Sequence, residues 1–242
     1  VTGVQTCALP ISPVLLQLPK DLGDYETVDY PYAKVKGWRS MGDPKDVQKA
    51  VKAVKKARNP ILFVGQGVFS ADAASELREF AEAAQLPVLT TLKGKSVFPE
   101  DHPLSLGVRG EPAERFLMKA DLVLTVGMGH NPCHFMHKIP DAVHKKIIQV
   151  TIDDSDLNTE YLVDHAIMGD AKLVLRQLNG ELEKQGTSKL NEALHKEIED
   201  SWATMMKTYT PLMESNETPI NPYRVYGDLM KVLDMEKSLV TH

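Results

Sequence analysis

PILFVGQGVFSADAASELREFAEAAQLPVLTT, residues 60–91, is the stretch that decides the fold. Ile61 to Val64 is an unbroken apolar run bounded by Pro60 and Gly65, as a short strand covered on both faces would be. The turn Gly65-Gln66-Gly67 follows, and then an amphipathic stretch with Ala73, Leu77, Phe80, Ala81 and Ala84 on one side. Pro87 to Thr91 is a second short apolar run. Strand, turn, helix and strand in that order make a crossover unit, and crossover units join parallel neighbours.

Outward from this unit the same alternation fills residues 43–180. Upstream, DPKDVQKAVKAVKKA offers Asp43 as helix cap and Pro44 at the first helical position. Val47, Ala50, Val51 and Val54 share its apolar face, and lysines 49, 52, 55 and 56 line the solvent side. Downstream come the loop LKGKSVFPEDHPLSLGVRG, helix EPAERFLMKA, strand DLVLTVG, loop MGHNPCHFMHKIPDAVHK, strand KIIQVTIDD, short strand HAIMG and helix DAKLVLRQL. The expected fold class is α/β, an open doubly wound parallel sheet of Rossmann-like kind, truncated at both ends.

The flanks differ in character. Residues 13–19, PVLLQLP, read as a lone strand, and DLGDYETVDYPYAKVKG as a polar linker without periodicity. GELEKQGTSK reads as a second linker, followed by the helix LNEALHKEIEDSWATMMKTY. Met205, Met206 and Met213 near Trp202 are packing residues rather than a cofactor box. Asn221 caps a helix in NPYRVYGDLMKVLD, and SLVTH reads as the start of a strand.

Composition narrows the function. A formal net charge of -5 leaves no basic surface to follow a nucleic-acid backbone. No apolar run approaches the roughly 20 residues that span a bilayer, so no membrane anchor is expected. Two cysteines, Cys7 and Cys133, make neither a disulfide framework nor a paired metal knuckle, and a reducing cytoplasm is the default location.

Two glycine turns are the candidate chemistry. Gly65-Gln66-Gly67 after one strand, and Gly127-Met128-Gly129 after another, place backbone N–H groups at the strand ends where open α/β sheets bind ligands. Asp153 and Asp154 end the next strand. A full dinucleotide fingerprint is absent: Ser70 or Ala71 stands where a third glycine is wanted, and the strand after the first turn ends in Thr90 and Thr91 rather than an acid. The alternative is that any parallel sheet carries glycine at its turns. A rival chemistry lies in the later loop, where His130, Cys133, His134 and His137 fall within eight residues and could hold zinc, although Pro132 disfavours the helical turn this needs.

PILFVGQGV, ELREFAEAAQLPVLTTLKGKSVFPEDHPLSLGVRG, ADLVLTVG, IIQVTIDDSDLN and GDAKLVLRQL together resemble the central domain of thiamine diphosphate-dependent enzymes, nearest to the acetolactate synthase large-subunit group. The resemblance covers residues 43–180, and FPEDHPLSLG is its most specific phrase. It implies a parent enzyme, homo-oligomeric, that forms or cleaves a carbon–carbon bond of a 2-keto acid with thiamine diphosphate and Mg2+. Residues 12–42 then end a pyrimidine-binding domain with its linker, 181–219 form a linker and helix, and 220–242 begin a diphosphate-binding domain. The catalytic glutamate and the metal motif of such enzymes belong to the flanking domains, so this chain alone is expected to be inert. In acetolactate synthases the central domain also holds the ADP part of FAD; other relatives bind ADP or nothing. By resemblance, Gly65, Gln66, Gly67 and Val68 match the first nucleotide loop, Thr91 and Leu92 the second, Val108, Arg109 and Gly110 the next, Gly127 and Met128 the third strand end, and Asp153 the carboxylate. The chain departs from the family at Gly127, where Gly-Met-Gly-His-Asn-Pro replaces the usual Gly-Ala-Arg-Phe-Asp-Asp-Arg and the arginine is lost. A stand-alone or vestigial nucleotide-binding module without catalysis is the alternative.

Residues 1–11, VTGVQTCALPI, resemble the translation of a common sequencing-library adapter. The expectation is therefore that the native chain starts near Ser12, that Cys7 is adventitious, and that the N-terminus carries no targeting information.

Overall fold

A computed structural model of the chain describes residues 37, 39–131, 138–234 and 237–238. The chain divides into two units, residues 1–39 and 40–242, and the sheet lies in the second. The expectations for residues 1–11, the strand at 13–19, its linker and the strand start at SLVTH fall outside the described residues, as do Cys133, His134 and His137.

Among the described residues five strands form one parallel sheet: β1 (Pro60–Val64), β2 (Val88–Thr90), β3 (Leu122–Val126), β4 (Lys146–Thr151) and β5 (His165–Met168). Their spatial order is β2-β1-β3-β4-β5. Leu62 stands opposite Val88 on one side and Leu124 on the other, Leu124 opposite Ile148, and Ile148 opposite His165. Every residue of β3 is buried, as expected for a central strand covered on both faces. The order reverses between β1 and β3, which makes their C-terminal ends the topological switch point.

Among the described residues the helices are α1 (Pro44–Lys56), α2 (Gln66–Ser70), α3 (Ala74–Ala84), α4 (Glu111–Lys119), α5 (Ala171–Gln185), α6 (Glu192–Met213) and α7 (Pro222–Val232). α5 packs between α1 and α3, α4 pairs with α6, and α7 packs on α6. Asp43 caps α1 by accepting from Lys45 N–H at 2.8 Å, and the face Val47, Ala50, Val51 and Val54 is the buried one, as its spacing predicts. α1 is tied to α5 at both ends. Gln177 and the Gly42 backbone exchange two hydrogen bonds of 2.9 Å, and Lys55 Nζ donates to the carbonyls of Gln185 and Gly186. Among the described residues no helix is long and apolar enough to cross a membrane.

The structure differs from the sequence expectation in three places. The first glycine turn is itself helical, because Gly65 caps the single turn α2. The long loop before α4 contains a rudimentary extra strand: Val88 N–H donates to Leu104 O and Leu106 N–H to Val88 O, both at 2.8 Å, and Thr90 N–H to Gly107 O at 3.0 Å. It stays short because Gly107 turns away at φ 67. α5 runs on to Gln185, past the point where a linker was expected, because Leu182 extends the buried stripe of Val174, Leu175 and Leu178 by one turn. Gly186 at φ 88 ends it.

Candidate functional site

At the switch point the ends of β1, β2 and β3 lock together through their backbones. Gly65 N–H donates to Val126 O at 3.0 Å, and Gly67 N–H to Gly127 O at 2.7 Å. A Cβ on Gly67 would lie 2.6 Å from the Gly127 Cα, and one on Gly65 only 2.5 Å from the Met128 Cβ. Across β2, a Cβ on Gly94 would lie 3.0 Å from the Gly65 Cα. Gly127 also takes φ 63, where side chains are disfavoured. Glycine is thus required here by contact between chain segments, and Gly67's N–H is already engaged. Gln66 is exposed, whereas Val68 and Met128 are buried.

The other expected positions spread along the same edge. Thr91 Oγ1 accepts from Gly94 N–H at 3.0 Å and caps its own turn, next to the exposed Leu92. Asp153 lies two residues past the end of β4, not within it as the sequence suggests, and caps the short turn Asp154–Asp156 beside the exposed Ile152. Its Oδ1 accepts from the Ser155 hydroxyl at 2.7 Å and the Ser155 N–H at 2.9 Å, and these bonds hold the carboxyl below the usual range. Val108, Arg109 and Gly110 lie beyond β2, where α6 covers the chain. Trp202 Nε1 donates to Ser105 O at 2.9 Å, and a Cβ on Gly107 would lie 2.9 Å from the Trp202 ring. The Met205 sulfur would meet a Cβ on Gly110 at 2.7 Å, so Trp202 and Met205 pack as the sequence suggests.

Sequence reasoning missed how the loop after β3 is held. His130 weighed as a metal ligand, yet it is buried, 1% exposed, with its ring edge-on to Tyr161 at 5.6 Å. Its Nε2 meets Thr125 Oγ1 at 3.2 Å, and the Thr125 hydroxyl donates to Ile148 O. The threonine oxygen therefore accepts, Nε2 carries the proton, and burial lowers the imidazole pKa to about 4. Gln149 donates to Met128 O at 3.1 Å and Asp156 O at 3.2 Å, fixing the same loop from β4. The clue was in the register: Thr125 and Gln149 are polar residues opposite one another in central strands. Among the described residues no three His, Cys, Asp or Glu side chains gather as a metal set.

The edge fits the two halves of a dinucleotide unequally. Asp153 keeps a carboxylate oxygen for a ribose. The pyrophosphate half finds no cation in the Met128–Asn131 loop, with His130 neutral and turned inward, and loses the Gly67 donor to Gly127. Among the described residues, then, a pyrophosphate at the switch point would have neither the Gly67 N–H nor a cation from residues 128–131.

The comparisons with known proteins agree with this architecture. Residues 47–178 match the family described as thiamine pyrophosphate enzyme, central domain. The acetolactate synthase large subunit of Corynebacterium glutamicum is 34% identical over 204 residues, covering 81% of this chain and 31% of its own length. The glyoxylate carboligase of Escherichia coli O157:H7 is 27% identical over 244 residues, covering 95% of this chain and 40% of its own. Benzoylformate decarboxylase from Polynucleobacter necessarius shares the fold, with a TM-score of 0.54 and 22% identity over 71% of this chain and 32% of that one. The chain spans no more than about 40% of the length of the curated relatives it matches. With its parallel sheet, glycine-locked switch point and family match over residues 47–178, the chain belongs to the thiamine pyrophosphate enzyme central-domain family.

Proposed function

We propose that the chain is the supporting central domain of a longer enzyme, cytoplasmic and homo-oligomeric, that joins or splits a carbon–carbon bond of a 2-keto acid with thiamine diphosphate and Mg2+. The observation that carries this reading is the glycine lock, in which the Gly67 N–H of the first switch-point turn is bonded to Gly127 O at 2.7 Å. Relatives named for acetolactate synthesis and glyoxylate carboligation support the reaction class. Thiamine diphosphate supplies the carbanion chemistry in the parent, and this chain contributes packing. The test is to give the purified chain thiamine diphosphate, Mg2+ and pyruvate. No pyruvate consumption is expected, and turnover would overturn the supporting role.

A second reading keeps FAD or ADP on the same edge, through Gly65, Gln66, Gly67, Val68, Thr91, Leu92, Val108, Arg109, Gly110, Gly127, Met128 and Asp153. Asp153 favours it, because both of its hydrogen bonds fall on Oδ1. A saturable thermal shift with FAD or ADP, or a yellow protein on purification, would select this reading. No shift with either supports the purely structural one.

A further inference from the structure

At the opposite edge of the sheet, where the strands begin, the chain encloses a cleft of about 360 Å³, within the size range of small-molecule sites. Its lining is mixed: Val54, Ile61 and Phe116 are buried at its base, with Lys119 Nζ over the Phe116 ring, and Ala57, Pro60 and Leu194 are the half-buried apolar residues that face into it. Four cations line it, Lys55, Arg58, Lys119 and Lys189, against one carboxylate, Glu197. In a chain of net charge -5 this local excess is the reverse of the overall balance.

Part of the excess has a structural cause. Lys55 and Lys119 sit in the last turns of α1 and α4, where cations are favoured, and each is engaged: Lys55 with two backbone carbonyls, Lys119 with Glu197. That explanation stops at Arg58 and Lys189. Both lie outside the helices, and among the described residues neither side chain has a carboxylate partner. The nearby Asp121 carboxylate accepts the backbone N–H groups of Arg58 and Asn59, each at 2.8 Å.

We infer that this cleft binds a small organic acid, its carboxylate held between Arg58 and Lys189 and its apolar body laid on the half-buried Pro60 and Leu194. The guanidinium fork suits a carboxylate, and the contacts at Pro60 and Leu194 favour an organic acid over a bare inorganic anion. The site is separate from the switch point and does not depend on the parent's reaction.

The test titrates the 242-residue chain with 3-phenylpropanoate, following backbone amides by NMR, with 3-phenylpropanamide as the uncharged control. Saturable shifts at residues 54–61, 116–119 and 188–197 are expected, with at least tenfold weaker binding of the amide. The double variant Arg58→Ala with Lys189→Ala, both exposed positions, should weaken the acid at least tenfold while its spectrum stays that of the folded chain. Shifts that do not saturate, shifts centred on residues 65–69 and 127–129, equal binding of acid and amide, or an unaffected double variant would each overturn the site.

Discussion

His130 shows how a single side chain links burial to pH. Its pKa falls from 6.5 to about 4 because the imidazole is buried, so the folded chain binds fewer protons than the unfolded chain between those values. Stability from this group is complete above about pH 6.5 and declines as pH falls, by roughly 3 kcal/mol once pH passes below about 4. Urea unfolding at pH 7 and pH 4.5 should show this loss, and His130→Gln should shrink the difference between the two. Gly127 carries the other prediction at this scale. A Cβ there would lie 2.7 Å from Val68 N on a backbone at φ 63, so Gly127→Ala should cost on the order of 2–3 kcal/mol in chemical denaturation. The sequence marks both glycine turns, but not what their N–H groups do. That depends on β3 lying beside β1, and the pairing joins residues far apart in the chain.

Helices and strands were legible wherever periodicity and capping agreed. Asp43 with Pro44, and Asn221 with Pro222, mark starts that the structure keeps, and Asn221 Oδ1 accepts Tyr223 N–H at 3.0 Å. The elements that escaped notice lack a periodic signal of their own. α2 spans only five residues, and the rung at Leu104–Gly107 is defined by its bonds to β2 rather than by its composition. α5 was cut short because Gly180 and the charged residues after it read as a linker, whereas Leu182 is buried. A Cβ at Gly180 meets nothing within 4 Å, so Gly180→Ala should stabilise the chain by about 0.5–1 kcal/mol, measured as a raised denaturation midpoint. A loss of stability there would mean that the helix is not continuous in solution.

For the molecule as a whole, sheet and outer helices differ in how much each depends on the other. α6 seals the loop beyond β2 through Trp202 and joins α4 through Lys119 and Glu197, whereas α7 packs on α6. A chain ending at Ser215 should keep the melting temperature within a few degrees, while one ending at Ser188 should lose about 2 kcal/mol or more, because Trp202 and Ile198 leave the core. Differential scanning calorimetry of the two truncations separates these outcomes. The α/β class was readable because each local pattern agrees with the parallel sheet. The substrate was not, since no described residue on the switch-point edge is arranged to select one.

The coupling of α1 to α5 has a mechanical side. Gly42 is held by Gln177 in the middle of α5, and Lys55 reaches the carbonyls of Gln185 and Gly186 at its end, so α1 is tied at both of its ends to the C-terminal half of α5. Tension applied between Asp43 and Gln185 would load these cross-helix bonds in shear, so pulling at these two positions is expected to break them before the strands part. In such a pull the α1–α5 pair would act as a strut laid beside the sheet.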